Sequence, residues 1–408
     1  MADVLRDRPY KGLGIFAAGF RPFFLLAGAW ATFAIPIWLC AYAGEIVLPS
    51  ALPPVVWHVH EMIFGFAFAS VAGFLLTAIP NWTGRLPLRG WPLAALALLW
   101  LTGRIGVLFS GMFGALPAAV ADLSFPLVFL VVVAIELIAG RNWRNLPMLV
   151  ALSLFLLGNV LVHMHVLGIT YTAELGNRIG LGTLLMLIAL VGGRIVPSFT
   201  RNWLSKAQPN ASPPAQTGVV DIVCLVGAVS GIAAWVVQPA GPVSPWIELA
   251  GGLAVAVRLS RWRGLATVRE PLLFVMHVGY GWLALGLLLL GVNGLYPVLP
   301  PTVALHALTV GAIGTMTLAV MTRASLGHSG RQLSADTGTI AIYVLVTFAA
   351  ILRLAVPFAG TQGLLLTGAA GAAWSAAFGL FLLLYGGLLM RPNRGPNGPM
   401  IQIKPKSK

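Results

Sequence analysis

The chain has 408 residues, 58% hydrophobic and only 9% charged, with a net charge of +14 and a mean hydropathy of +0.90. Soluble domains carry about 25% charged residues, so this composition excludes a water-facing surface over most of the molecule and makes membrane lipid its main surroundings. With two cysteines, Cys40 and Cys224, and no CxxCH, a disulfide framework and covalent c-type haem are excluded as well.

A bilayer crossing takes about twenty mostly apolar residues, and twelve such runs follow one another. Span 1, 18–43, is too long for the apolar part of a cleaved signal. Span 2, 57–80, opens on WHVHE, which places His58, His60 and Glu61 at its start. Span 3, 91–110, carries Arg104, and span 4, 116–139, carries Asp122 and Glu136. Span 5, 146–167, closes on His163 and His165; span 6, 175–197, holds Asn177 and Arg178 and leads into GGRIVPSFTRNW. Span 7, 218–239, begins with Asp221, and span 8, 246–262, is the shortest and ends among Arg258, Arg261 and Arg263. Span 9, 270–292, contains His277; span 10, 299–322, contains His306; span 11, 339–358, contains Arg353; span 12, 362–390, precedes a basic tail, 391–408.

Apart from Arg104, Arg178 and Arg353, the 25 Lys and Arg lie at the start of span 1, at or after the ends of even-numbered spans, or in the tail. Such an excess marks cytoplasmic loops, so both termini are expected in the cytoplasm. Because the charge is scattered over many short loops, it does not describe a nucleic-acid surface.

The even spans share a pattern. HEMIFGFAFASVAGFLLTAIPNWTGR, 60–85, aligns without a gap with HALTVGAIGTMTLAVMTRASLGHSGR, 306–331, matching His60 to His306, Gly65 to Gly311 and Gly84 to Gly330. Span 6 joins with Gly182 at the place of Gly65 and Asn177 at that of His60. Pro22, Pro147 and Pro271 open spans 1, 5 and 9, and Arg104 and Arg353 are repeat-equivalent. These matches describe a single membrane domain, 1–408, of three four-helix units, 18–140, 141–263 and 264–390.

Ionisable side chains are costly inside a bilayer and mark function by default. His58, His60, His163, His165 and His306 share one layer near the outer surface, whereas His277 lies nearer the middle. Imidazole is a common ligand of haem and metals. His60 and His306 are therefore candidate axial ligands of one b-type haem, with Arg104 and Arg353 as partners for its propionates. His58, His163 and His277 are further candidate metal ligands, and Glu61 is placed to hydrogen-bond a ligating imidazole. Plainer readings stand beside these: His165 as a packing partner, His58 as an interfacial residue, Arg104 as the ion-pair partner of Asp122, and Glu61 as a helix cap. Asp122, Glu136 and Asp221 read as proton-relay members or as ordinary interfacial groups.

GFRPFF (19–24), WHVHEMIFGF (57–66), GFLLTAIPNWTGR (73–85), GGRIVPSFT (192–200) and LHALTVGAIGTMTLAVMTRASLGHSGR (305–331) resemble the NnrS family over essentially the whole chain. The resemblance implies a bacterial inner-membrane protein with haem and copper, linked to nitric oxide metabolism and resistance to nitrosative stress; nitric oxide is then an expected ligand, and quinol or another redox partner an expected partner. The layout also resembles subunit I of haem–copper oxidases, whose low-spin haem is held from helices two and ten. Spans 6 and 7 lack the histidines that bind copper there, so an oxidase-type binuclear centre is not expected. A transporter of haem, copper or another metal is the alternative, favoured by helix breaks expected at Gly192–Gly193 and Pro197. A quinol-linked nitric oxide reductase is the third.

Overall fold

The computed structural model describes residue 10 and residues 12–391. Arg6, Arg8 and Lys11 at the start of the chain, and the tail beyond Arg391, lie outside them. Among the described residues all regular structure is helical. Twelve long helices follow in order: α1 Phe20–Tyr42, α2 Pro54–Thr83, α3 Trp91–Leu108, α4 Ala115–Ala139, α5 Pro147–Val166, α6 Ala173–Ala207, α7 Val219–Val237, α8 Ser244–Ser260, α9 Pro271–Leu295, α10 Pro301–His328, α11 Thr337–Ala355 and α12 Gly363–Met390. Eleven of the twelve are long and apolar enough to cross a bilayer. The other, α8, has 17 residues and packs between α7 and α9. The protein is an all-α polytopic membrane protein.

Local chemistry sets the helix limits. Proline stands in the first turn of α2, α3, α5, α8, α9 and α10, where its missing N–H removes no intrahelical bond and its fixed φ suits the helix. Gly84 ends α2 at φ 69°, with its N–H bonded to the Pro80 carbonyl, and Gly330 follows α10 at φ 67°. A side chain at either position would be strained.

Three helices depart from α geometry. Glu61–Ala67 in α2, Ile188–Gly192 in α6 and Ala307–Gly314 in α10 are π-helical. A π turn takes in an extra residue, turns the following side chains to a new direction and is frequent at functional sites. The breaks expected at Gly192–Gly193 and Pro197 do not occur. Instead α6 runs unbroken from Ala173 to Ala207, and its π turn absorbs the irregularity.

Burial orders the bundle. About 72% of the central stretch of α2 is buried and 67% of that of α10, against 33% for α7 and α11, so α2 and α10 are inner helices and α7 and α11 face lipid. α2, α6 and α10 meet at the centre, where an apolar cavity of about 100 Å³ lies among Ser70, Phe74, Leu184, Val191 and Met316. α1 packs against α12 and closes the ring. Lipid tails are as apolar as leucine, so helices in a membrane associate by close packing and hydrogen bonds. Gly158 of α5 and Gly176 of α6 show this: a Cβ on Gly158 would lie 2.7 Å from the Gly176 carbonyl oxygen.

Candidate functional site

Successive helix residues are turned by about 100°, so His58 and His60, two apart at the start of α2, leave the helix on nearly opposite sides. Each enters a different site.

His58 faces a cavity of about 490 Å³ at the end of the bundle away from the basic loops, within the roughly 300–1,000 Å³ of small-molecule sites. Trp38 of α1, His58 and Phe66 of α2, His306 of α10, Arg353 of α11 and Trp374 of α12 all line it. The His58 ring stacks on Trp38 with centroids 4.1 Å apart, and its Nδ1 is buried with no hydrogen-bond partner among the described residues. His306 Nδ1 donates to the Thr302 carbonyl at 2.6 Å, which leaves the lone pair on Nε2. Arg353 is half-buried and makes no ion pair among the described residues.

His60 turns the other way, into a fully packed polar cluster. Its Nδ1 donates to Glu61 Oε1 at 3.0 Å, and its Nε2 lies 3.0 Å from Asn159 Oδ1 and 3.2 Å from Asp122 Oδ2. His163 Nε2 approaches the same Asp122 oxygen at 2.8 Å, and the Asn159 amide donates to it at 2.8 Å. Arg104 bridges the two acids, donating to Glu61 Oε1 at 2.8 Å and to Asp122 Oδ1. None of these six side chains is more than 3% exposed. Glycine at position 65 makes the room, because a Cβ there would lie 2.8 Å from Arg104 Nη1 and 3.0 Å from Glu61 Oε2.

The expected pairing of His60 with His306 is therefore not what the structure brings together. The two histidines are repeat-equivalent in register, but their neighbours differ. Glu61 captures His60, whereas Ala307 occupies the corresponding place after His306, whose ring bonds back to its own helix. The cavity takes His58 in place of His60. Arg104 and Arg353 are likewise separated, because Asp122 and Glu61 hold Arg104 while Arg353 lines the cavity.

The other candidates have local roles. His277 donates from Nδ1 to the Leu273 carbonyl at 3.0 Å, and its Nε2 lies 3.4 Å from the Thr200 hydroxyl, linking α9 to α6. His165 bonds the Thr170 carbonyl at the end of α5. Glu136 pairs with Arg85 at 2.6 Å on the surface. Asp221 lies 3.6 Å from Arg258 and 3.5 Å from Arg261. Asn159 and Trp38 were not singled out by sequence. Asn159 had a usable signal, since it stands four residues before His163 and so shares its helix face.

Fold and sites together define a polytopic membrane protein that encloses two separate histidine sites in an apolar bundle. The chain belongs to the NnrS family: the family model, described as NnrS protein, matches residues 14–393. No curated protein matches it.

Proposed function

We propose that the protein is a membrane haem protein of the nitric oxide response, with a b-type haem in the cavity between α2 and α10. The observation that carries this reading is the meeting of two imidazoles, His58 and His306, and a guanidinium, Arg353, that makes no ion pair among the described residues, on one largely apolar cavity. The residues fit the group. His306 offers Nε2 as a ligand, oriented by its bond to Thr302, and His58 offers the second imidazole from the facing helix. Arg353 supplies a positive charge for a propionate, and Trp38, Phe66 and Trp374 supply apolar walls for the macrocycle. The bound iron would supply one-electron exchange, and a diatomic ligand would reach it by displacing one of the two imidazoles; family membership supports nitric oxide as that ligand.

The location follows from the charges. With the basic loops in the cytoplasm of a bacterial inner membrane, the cavity opens near the periplasmic surface, and quinol or another membrane redox partner is the electron source. The test is spectroscopic. Purified protein shows a Soret band, which His306→Ala and His58→Ala abolish and His60→Ala retains, and the band shifts on adding nitric oxide. A colourless preparation from haem-replete cells refutes the proposal.

A further inference from the structure

The cluster behind His60 is not needed to hold a haem, and its chemistry is specific. With neutral imidazoles it contains two carboxylates, Glu61 and Asp122, and one guanidinium, Arg104, leaving one net negative charge among side chains no more than 3% exposed. An uncompensated charge in such a setting is strongly unfavourable. The hydrogen bonds locate the deficit. His60 Nδ1 faces a carboxylate, so it carries a proton; in the neutral ring Nε2 then turns a lone pair toward two oxygens, Asn159 Oδ1 at 3.0 Å and Asp122 Oδ2 at 3.2 Å. His163 Nε2 closes on the same Asp122 oxygen at 2.8 Å. Protons on the two Nε2 atoms satisfy these contacts, and so does a single metal cation held between the three donor atoms.

We infer that His60 Nε2, His163 Nε2 and Asp122 Oδ2 form a binding site for a first-row transition-metal ion. The three donor atoms lie within 4.8 Å of one another, compatible with bonds of about 2.0–2.2 Å to a shared ion. The Glu61 carboxylate on His60 Nδ1 is the arrangement that orients a ligating histidine and raises its basicity. Two imidazoles and a carboxylate, with no thiolate, suit copper, zinc or iron, and copper binds such a set most tightly among divalent ions. A cuprous ion cancels the net negative charge outright, and a divalent ion leaves one positive charge on the cluster. The assignment deepens the functional reading by giving the copper expected of this family its own ligands, but it stands apart from the haem cavity.

The experiment uses full-length protein purified with its haem, stripped of other metals by chelation and titrated with Cu(II) and, separately, Zn(II). Metal content and the Cu(II) paramagnetic resonance spectrum are the readouts. One equivalent of Cu(II) with hyperfine splitting from two imidazole nitrogens is expected. His163→Gln and Asp122→Asn each lose at least tenfold in affinity, Glu61→Gln weakens binding about 10–100-fold, and His277→Ala leaves it unchanged. The Soret band of each variant reports the haem-bound fold independently of the metal readouts, so loss of haem and loss of metal are distinct results. Absence of stoichiometric binding by the wild type overturns the inference and leaves a proton on His60 as the missing charge. A copper spectrum lacking imidazole nitrogens overturns it without recourse to any variant. Unchanged binding by His163→Gln or Asp122→Asn that retains its Soret band does so too.

Discussion

Replacing Arg104 tests the polar cluster as a structural unit. One guanidinium holds two carboxylates, Glu61 at 2.8 Å and Asp122, and the three side chains are 0–2% exposed. Arg104→Met leaves both acids buried without their partner, and breaking a buried pair in this way costs about 3–5 kcal/mol. The two pairs share one side chain, so their costs do not add. Arg104→Lys keeps the charge but loses the two-pronged geometry, with an expected cost of about 1–3 kcal/mol. Adding Asp122→Asn to Arg104→Met removes one orphaned charge and restores part of the loss, giving a coupling of about 0.5–3 kcal/mol. Unfolding by sodium dodecyl sulfate in mixed micelles, followed by circular dichroism on chelator-treated protein, measures each value without stabilisation by bound metal. Arg104→Met within about 1 kcal/mol of the wild type, the range of ordinary substitutions, would refute the reasoning that these groups are interlocked.

Three further outcomes are expected from unfolding measurements. Gly65→Ala forces a methyl against Arg104 Nη1 and Glu61 Oε2, costs about 1–3 kcal/mol by overpacking, and loses part of that effect in the Arg104→Met background. Gly158→Leu drives a side chain into the Gly176 backbone and separates α5 from α6; a drop in thermal stability larger than that of Gly368→Leu, where a Cβ meets nothing within 4 Å, is the check. Asp336 caps α11 by accepting from the Thr339 N–H at 2.7 Å, which holds its carboxyl below the ordinary value of 3.8. A depressed acid stabilises the fold above its unfolded value and loses that contribution as pH falls through its folded value. Asp336→Ala should therefore cost about 1 kcal/mol at pH 7, and the gap between variant and wild type should close as the pH falls below 3.8. A gap that persists at low pH counts against the cap.

What could be read in the sequence depended on which physical signal carried it. Helix number was legible because lipid demands an apolar run of fixed length, and the twelve runs are the twelve helices. Helix ends were less so. The reading of 175–197 stopped where α6 turns polar, but the helix continues to Ala207, since hydrogen bonds extend a helix into the interface without apolar side chains. Depth was legible too: His58, His60, His163 and His306 were placed in one layer. Direction around the helix was not. His58 and His60 differ by about 200° of rotation, and only the neighbours decide which ring meets the cavity. The repeat favoured His60 through its match to His306, yet Glu61, where the other repeat has Ala307, holds the imidazole in the polar cluster together with Asn159 and Asp122. The π turns add a further shift that no apolar periodicity reveals.

The two sites are joined by the wall they share. From the π segment of α2, Met62, Ile63 and Phe66 line the cavity, while Glu61 and Gly65 face the polar cluster. A rotation of α2 that moves His58 across the cavity must also drag His60 and Glu61 away from Asp122 and Arg104. Trp100 opposes such a rotation, because its Nε1 donates to the Gly65 carbonyl at 3.1 Å. The cluster therefore fixes the angle at which α2 presents His58 to the cavity. A change of charge in the cluster would reach the cavity through this one helix. That explains why a chain with only 9% charged residues buries six polar side chains behind a helix whose opposite face is apolar apart from one histidine: the polar side supplies the rigidity that an apolar contact with lipid-like neighbours cannot.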